Sequence, residues 1–508
     1  MSKVKSIGAL AFLVVCGSAC QDTYVDPMPR SDQLDWPIGL EVHPNGRFLY
    51  AVNSNFDTRY NEEFGGTISV FDLETQEMLV GNGPFIPSFG GQIKLNDDAS
   101  KAYVTVRYEN QILSLDVAEN GSALGCNLAA AGQPLDLTSD LEKCRIQRVP
   151  DVSNGSLIPS DPFGLDVLTL QTSRATLEGG SPWTLTIDGS EVVVDVADAE
   201  QAAAALANAA GNVPGISAAA QGSELALFGD DGQTFTATLS SGAGVVDFET
   251  TRGDVLGVSH LRGTQLTAVS IPQQAVAAAS VRSAEFISGS NDVLRRPGTR
   301  DFYAAGRISR DLAIFRPYLA PDTGRVEALI DRGRVTLNHL TSAVDARALA
   351  FEPDGKTLYV ATRNPDALQV VQITAADPEL GTGTAHRVVA TIPLERNPSD
   401  IVRVQVGTQV RLYIPCFEAG VIQVVDPSTR QIVDEIELGA SPYVMAVDRG
   451  GYCEPGSGRC LGYVSLFDDL PRAGGRCDSA RQEPCGSIGV VDLDPESPRY
   501  NRLIRKLY

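Results

Sequence analysis

Residues 348–373 read ALAFEPDGKTLYVATRNPDALQVVQI. An apolar run stops at Pro353-Asp354-Gly355, a second run carries Tyr359, and a third begins after Asn364-Pro365-Asp366. Apolar side chains alternate within each run and turn formers separate the runs, which is the pattern of half-buried antiparallel strands. The same order recurs upstream in WPIGLEVHPNGRFLYAVNSN (36–55) followed by GGTISVFDLETQEMLV (65–80), and in KAYVTVRYENQILSLDV (101–117). Downstream it returns in RLYIPCFEAGVIQVVD (411–426), and in LGYVSLF (461–467) with GSIGVVDL (486–493). Tyr50, Tyr103, Tyr303, Tyr359, Tyr413 and Tyr463 mark the second strand of each unit, the last four at intervals of 56, 54 and 50 residues. A weaker unit, DVLGVSHLRGTQLTAVSI (254–271), lies between Tyr103 and Tyr303 and brings the number to seven.

Seven four-stranded units of about fifty residues cannot each bury a core alone. Packed radially they can, as an all-β, seven-bladed β-propeller with only short sheet edges. The Pro-Asp-Gly turn followed by TLYVATRNPDALQVV resembles the YVTN-repeat, lactonase-like propeller family over about three-quarters of the chain. That resemblance implies the fold; it says less of activity, because one fold hosts many functions. The units start at an innermost strand (38–42) and end at an outermost one (501–507), so sequence units coincide with blades and packing between the first and last blades closes the ring.

Residues 169–252 interrupt blade three as an inserted small α+β domain, dividing the propeller into 35–168 and 253–508. DPFGLDVL reads as the blade's inner strand, and its partner returns at DVLGVSHL. Between them the pattern gives two strands around Asp188-Gly189, a helix capped by Asp198 with Gln201 at the third position, a stop near Gly211 and Pro214, and three short strands. TIDG, the alanine-rich helix and PGISA resemble the small β-α-β inserts of flagellin and hook proteins, which implies a peripheral surface module.

The amino terminus reads as an address. Lys3 and Lys5, the apolar run 7–15 and Gly17-Ser18-Ala19-Cys20 form a secretory leader too short to span a bilayer stably. GSAC resembles a bacterial lipobox, which implies a signal peptide over 1–19, acylation of Cys20 and a tether over 20–34; cleavage with simple release is the alternative. Gln21 after the cysteine implies, by the same analogy, an outer-membrane lipoprotein in the cell envelope. An oxidising compartment suits the remaining cysteines, six of which form close pairs: Cys126/Cys144, Cys453/Cys460 and Cys477/Cys485, with Cys416 left over. Four histidines in the whole chain argue for disulfide staples over a metal site.

The 41 basic and 63 acidic residues give a net charge of −22, or −24 once the leader and its two lysines are removed (39 − 63), which argues against nucleic acid as a partner. No nucleophile elbow, zinc-protease or phosphate-loop motif is present, and no cofactor is called for. His43, His260, His339 and His386 sit at turns, strand ends and polar connections, as structural histidines do.

One constellation stands out. Four residues after the second-strand tyrosine come Arg107, Arg307 and Arg363, with Arg262 one place later in the weak unit; Ser54, Phe417 and Phe467 fill the other units. Equivalent strand ends of a propeller share one face, so these guanidiniums are expected to converge on the channel mouth, either as a site for a carboxylate or phosphate or as a ring of ion pairs with Asp161, Asp345 and Asp400. Two long loops, 53–66 and 468–486, are expected on the same face. With no aromatic stripe and mixed charge they suit an envelope protein, a peptide or a glycan. Two functions follow: a lipid-anchored binding or scaffolding module, or a lactonase-like hydrolase in which Arg107, Arg307 and Arg363 orient an anionic substrate and a nearby Asp acts as base. A quinone-bearing redox propeller has little support with only Trp36 and Trp183 in the chain.

Overall fold

The computed structural model describes residues 28–126, 128, 141–146, 158–229, 234–320, 322–338, 343–374, 385–454, 456–469 and 486–508. The leader, Cys20, Cys477, Cys485, His339 and most of the loop after Phe467 lie outside them.

Seven antiparallel sheets are the seven blades; six are ordered as consecutive strands from the inside outward, and the third is widened by two strands of the insert. The inner strands are Pro37–Val42, Gly90–Leu95, Pro162–Thr176, Ser290–Arg295, Ala346–Phe351, Val402–Val406 and Pro442–Val447. Among the described residues no blade borrows a strand from the other terminus; the last runs from Pro442–Val447 to Arg502–Leu507 within one sheet. Alternation along the strands leaves every blade with two apolar faces, and these meet those of its neighbours. Seven of the apolar clusters therefore each straddle two adjacent blades. The one that closes the ring joins Leu40, Leu49 and Phe71 of blade one to Ile488, Val490 and Leu507 of blade seven. Each such side chain contributes roughly 1.5–3 kcal/mol on burial, which makes packing sufficient for closure.

The second-strand tyrosines are fully buried and their hydroxyls are held inside. Tyr103 donates to Asp254 at 2.6 Å, Tyr413 to Asn501 at 2.9 Å, and Tyr463 to Asp448 at 2.9 Å. Burial pushes all three phenols well above their ordinary acidity range. The sequence landmark is thus a buried clamp, onto a strand of blade three at Asp254 and onto connections at Asn501 and Asp448.

Blade three grows into the insert without a break. Pro162–Thr176 pairs with Glu249–His260 from Pro162↔His260 to Arg174↔Glu249. Glu224–Gly229 then pairs with its distal half, and Ile216–Gln221 with Glu224–Gly229. A second four-stranded sheet and the helix Ala199–Ala210, capped by the Asp198 carboxylate on the Gln201 N–H, enclose a separate core around Trp183, Leu185 and Leu206. Four short strands follow the helix, one more than the pattern suggested, because Gly244–Val246 pairs with Ala237–Ser241. The insert leaves from the carboxyl end of an inner strand, so it projects from the face opposite the one where inner strands begin.

Two disulfides close local loops, Cys126–Cys144 and Cys453–Cys460, with Cα atoms 5.0 and 4.3 Å apart. Cys416 is a buried free thiol, pushed up to about 12 by burial and so inert at neutral pH. Among the described residues no helix is long and apolar enough to cross a membrane.

Candidate site at the channel mouth

A repeated backbone device builds the rim. A left-handed residue stands just before the inner strand in five blades, Trp36, Phe89, Asp161, Gly289 and Asp345, and just before the Pro398–Cys416 bridge that leads into it in blade six, Asn397, with φ between 46° and 60°. Its carbonyl accepts the N–H of the residue that ends the second strand. The donors are Ser54, Arg107, Leu261, Arg307, Arg363 and Phe417 at 2.8–3.3 Å, and Phe467 donates likewise to Ser441 in blade seven. Glycine adopts this conformation freely and Asp or Asn tolerate it, whereas Trp36 and Phe89 hold it at a cost of order 1–3 kcal/mol. The device puts the four-after-tyrosine residues around one opening. In blade three it selects Leu261, so Arg262 sits one step out on the rim with its side chain 78% exposed.

The arginines behave differently from one another. Arg107 and Arg262 share the Asp161 carboxylate, through Oδ1 at 3.1 Å and Oδ2 at 3.2 Å. Asp345 pairs with Arg347 at 2.8 Å rather than with any of the four arginines singled out above. Asp400 meets no guanidinium within ion-pair distance among the described residues; its oxygens accept the N–H groups of Ile401 and Met445 at 2.8 Å. The Arg307 side chain has no partner among the described residues. Arg363 donates Nε to the Pro398 carbonyl at 3.0 Å and has no carboxylate partner among the described residues. Burial, reinforced by the neighbouring Arg347 charge, pushes it down to about 10, still cationic at neutral pH.

Two site residues come from the inner strands themselves. Arg347 and Tyr443 occupy the second inner-strand position of blades five and seven, where Ile38, Gly91, Phe163, Asn291 and Ser399 stand in the others. Arg347 also reaches Asn291 Oδ1 at 3.4 Å, while its Nε and Asp345 Oδ1 are buried without a partner. The Tyr443 hydroxyl makes no hydrogen bond among the described residues. Burial raises its pKa, against the pull of Arg347, Arg363 and Arg107, all three near enough to act on it.

The other half of the opening is aromatic. Phe467 packs on Trp36 at 4.8 Å, Phe56 at 5.4 Å, Phe417 at 5.9 Å and Tyr443 at 6.1 Å between ring centroids. Phe89 extends the cluster from Phe56 at 6.5 Å and lies under the Arg107 guanidinium at 5.7 Å. This corrects the expectation of no aromatic stripe: the rings come from six separate stretches of chain and only the ring closure assembles them. Of the two long loops, 54–65 is held down by Asn55 on Ser88 and Tyr60 on Gln33.

Below the mouth a cavity of about 510 Å³ follows the channel axis, lined by all seven inner strands. Inner-strand N–H groups would stand unpaired here, and acceptor side chains cap them from blade to blade. Gln92 takes the Leu165 N–H at 2.9 Å, Asp166 that of Arg295 at 2.6 Å, Asp292 that of Leu349 at 3.0 Å, and Asp400 that of Met445. Lys94 lies among them, 3.5 Å from Glu41, which also holds Arg449 at 2.9 Å. Burial and the Asp400 charge push Asp292 up to about 7.

The three described histidines stay away from this chemistry. His260 is enclosed between Thr267 at 2.8 Å and the Ser160 carbonyl at 3.2 Å, His386 meets the Tyr303 hydroxyl at 2.9 Å, and His43 accepts the Asn45 N–H. Among the described residues no cluster of three or more His, Cys, Asp or Glu could hold a metal ion.

No family model matches the chain, and no curated protein is detectably similar in sequence. Among solved structures, a protein from Lactobacillus plantarum aligns over 78% of this chain and 84% of its own at 13% identity and a TM-score of 0.44. A putative 6-phosphogluconolactonase from Bacteroides fragilis aligns over 79% and 84% at 13% identity and 0.43. The periplasmic gluconolactonase of Pseudomonas aeruginosa aligns over 80% and 87% at 14% identity and 0.44. The chain is similar to these propellers in its path; their activities are theirs, and the architecture here rests on its own sheets and interblade cores.

Proposed function

We propose that the channel mouth binds a small organic anion and that the protein acts on it as a lactonase-type hydrolase. Arg363 carries this reading: a guanidinium mostly withdrawn from water, with no carboxylate within ion-pair distance among the described residues and only the more distant pull of Asp345 and Asp366, beside Arg347 and close to the Tyr443 hydroxyl. A structural ion pair would satisfy that charge within the chain, as Asp161 does for Arg107. A positively charged position left open toward a concave mouth favours an anion that arrives from solution.

Asp292 supports hydrolysis over binding alone. It lines the cavity beneath Arg347, and a carboxylate titrating near 7 is matched to general-base work at neutral pH. In this scheme Asp292 takes a proton from water as the water oxygen attacks the lactone carbonyl. The ring C–O bond then breaks, protonated Asp292 returns its proton to the departing oxygen, the new carboxyl group releases its own proton to water, and Arg363 and Arg347 hold the carboxylate formed. The leader-like start and the lipobox-like GSAC at Cys20 support a cell-envelope location for this reaction.

The test is turnover of a panel of small lactones, followed by acid release, with calorimetry of their open acids. The expected result is saturable binding that falls about 10–100-fold in Arg363→Ala, the worth of one charge-assisted hydrogen bond. Turnover should have a pH inflection near 7 that Asp292→Asn removes while acid binding persists. Binding without turnover would leave a binding module, the other reading of the sequence; no binding at all, or an indifferent Arg363→Ala, would end the proposal.

A further inference from the structure

The mouth is not uniformly polar, and its asymmetry constrains what it accepts. Arg347, Arg363 and Arg107, from blades five and two, all lie near enough to Tyr443 for their charges to act on its phenol. The facing wall is made of Trp36, Phe56, Phe417 and Phe467, in continuous ring contact with Tyr443. Phe56 is 49% exposed, so the wall presents ring surface to the opening instead of sealing it. Hydrogen-bonding capacity on that side is sparse and unused: Trp36 Nε1 and Ser54 Oγ are buried without a partner, at the two residues joined by the rim backbone bond.

A polyhydroxylated acid placed against the arginines would turn its hydroxyls toward phenyl rings and exchange water for nothing. A flat apolar ring would be matched on both counts, stacking on the wall while its anionic group meets the guanidiniums. Resting on the anion-binding reading above, we infer that the occupant carries a planar apolar ring beside its negative charge: an aryl or aralkyl carboxylate, or the lactone that opens to one, rather than a sugar acid.

The full-length chain titrated with phenylacetate and with gluconate, two monoanionic carboxylates, tests this. Of the two tryptophans, Trp183 is fully buried in the insert, so a change in emission on binding reports from Trp36. Phenylacetate is expected to bind at least about tenfold more tightly than gluconate and to shift that emission. Phe56→Ser, at an exposed loop position that leaves the fold intact, should weaken phenylacetate about 3–10-fold and gluconate less than about twofold. Equal or tighter binding of gluconate, with Arg363→Ala weakening both acids, would overturn the ring preference and leave the anion site standing. If neither acid binds, or Arg363→Ala changes neither, both readings fail together.

Discussion

The two halves of the mouth share one backbone and differ in everything attached to it. In blades two, four and five the residue that donates to the carbonyl before the inner strand is Arg107, Arg307 or Arg363; in blades six and seven it is Phe417 or Phe467. Strand geometry therefore fixes where a side chain appears on the rim, and residue type alone decides whether that sector is a cation or a wall. One layer down the contrast fades: at the same inner-strand position Asp292 stands in blade four, but Asp400 stands in blade six beneath Phe417, with Val444 and Gly39 in blades seven and one. A charged sector facing an apolar sector is an arrangement for holding a molecule in one orientation.

The largest effect expected from disturbing this contrast concerns Asp292. Its folded pKa, about 7, lies above the ordinary carboxylate value, so the native state holds the proton more tightly than the unfolded chain. Its contribution is fully present below about pH 4 and is lost as pH rises toward 7, since the native protein must then ionise a carboxyl withdrawn from water next to Asp400. The groups facing it are Asp400, Lys94 and the Gln92 amide. Asp292→Asn keeps an oxygen for the Leu349 N–H and removes the charge. It should stabilise the protein at pH 8 by up to about 4 kcal/mol, a ceiling set by roughly three pKa units, with the gain vanishing near pH 4. Denaturant midpoints measured across pH 4–8 check this; a constant offset would mean that the floor is not strained. A residue whose removal stabilises the fold is one retained for another purpose.

On the aromatic side, Phe467→Ala removes the ring common to contacts with Trp36, Phe56, Phe417 and Tyr443. A stability loss of about 2–3 kcal/mol is expected, less than a fully buried phenylalanine would give because Phe467 is only partly covered. Arg363→Ala should cost nothing in stability, since it relieves a cation that burial disfavours. Thermal unfolding of the two variants side by side reads the contrast directly: one half stabilises the ring, the other spends stability on an open charge.

How far the sequence foretold this depends on what kind of spacing each feature obeys. Strands and turns follow local periodicity, and the tyrosine offset carried Arg107 and Arg363 correctly to the rim because the second strand is regular between Tyr359 and Arg363. Arg262 fell outside the pattern for a local reason: its unit lacks the tyrosine, and Gly257 stands opposite Asp166 where Tyr359 stands opposite Ala350. Arg347 and Tyr443 were missed although a signal existed. Aligning the seven inner strands on the residue after each left-handed turn sets one arginine and one tyrosine among Ile38, Gly91, Phe163, Asn291 and Ser399. The aromatic wall was legible only in part: Phe417 and Phe467 stand at the same tyrosine offset as the arginines, but Trp36 and Phe467 lie at opposite ends of the chain and meet only because blade seven packs on blade one.

The smallest expected effect separates position from charge within the cationic half. Arg107 and Arg262 bind the same Asp161 carboxylate at nearly the same distance, 3.1 and 3.2 Å, yet their side chains are 22% and 78% exposed. Exposed ion pairs are screened by solvent and are worth a few tenths of a kcal/mol, so Arg262→Ala should leave stability within about 0.5 kcal/mol of the parent. Arg107 is better covered and also lies over the Phe89 ring, so Arg107→Ala should cost about 1–2 kcal/mol and weaken binding of an anion near Tyr443. Thermal unfolding at low and high salt distinguishes them: the Arg262 effect should disappear by 0.5 M salt, where screening lengths fall below about 5 Å, and the Arg107 effect should survive. Equal effects from the two would mean that the rim's ion pairs act as one solvated ring, and that only Arg363 and Arg347 mark the mouth for a ligand.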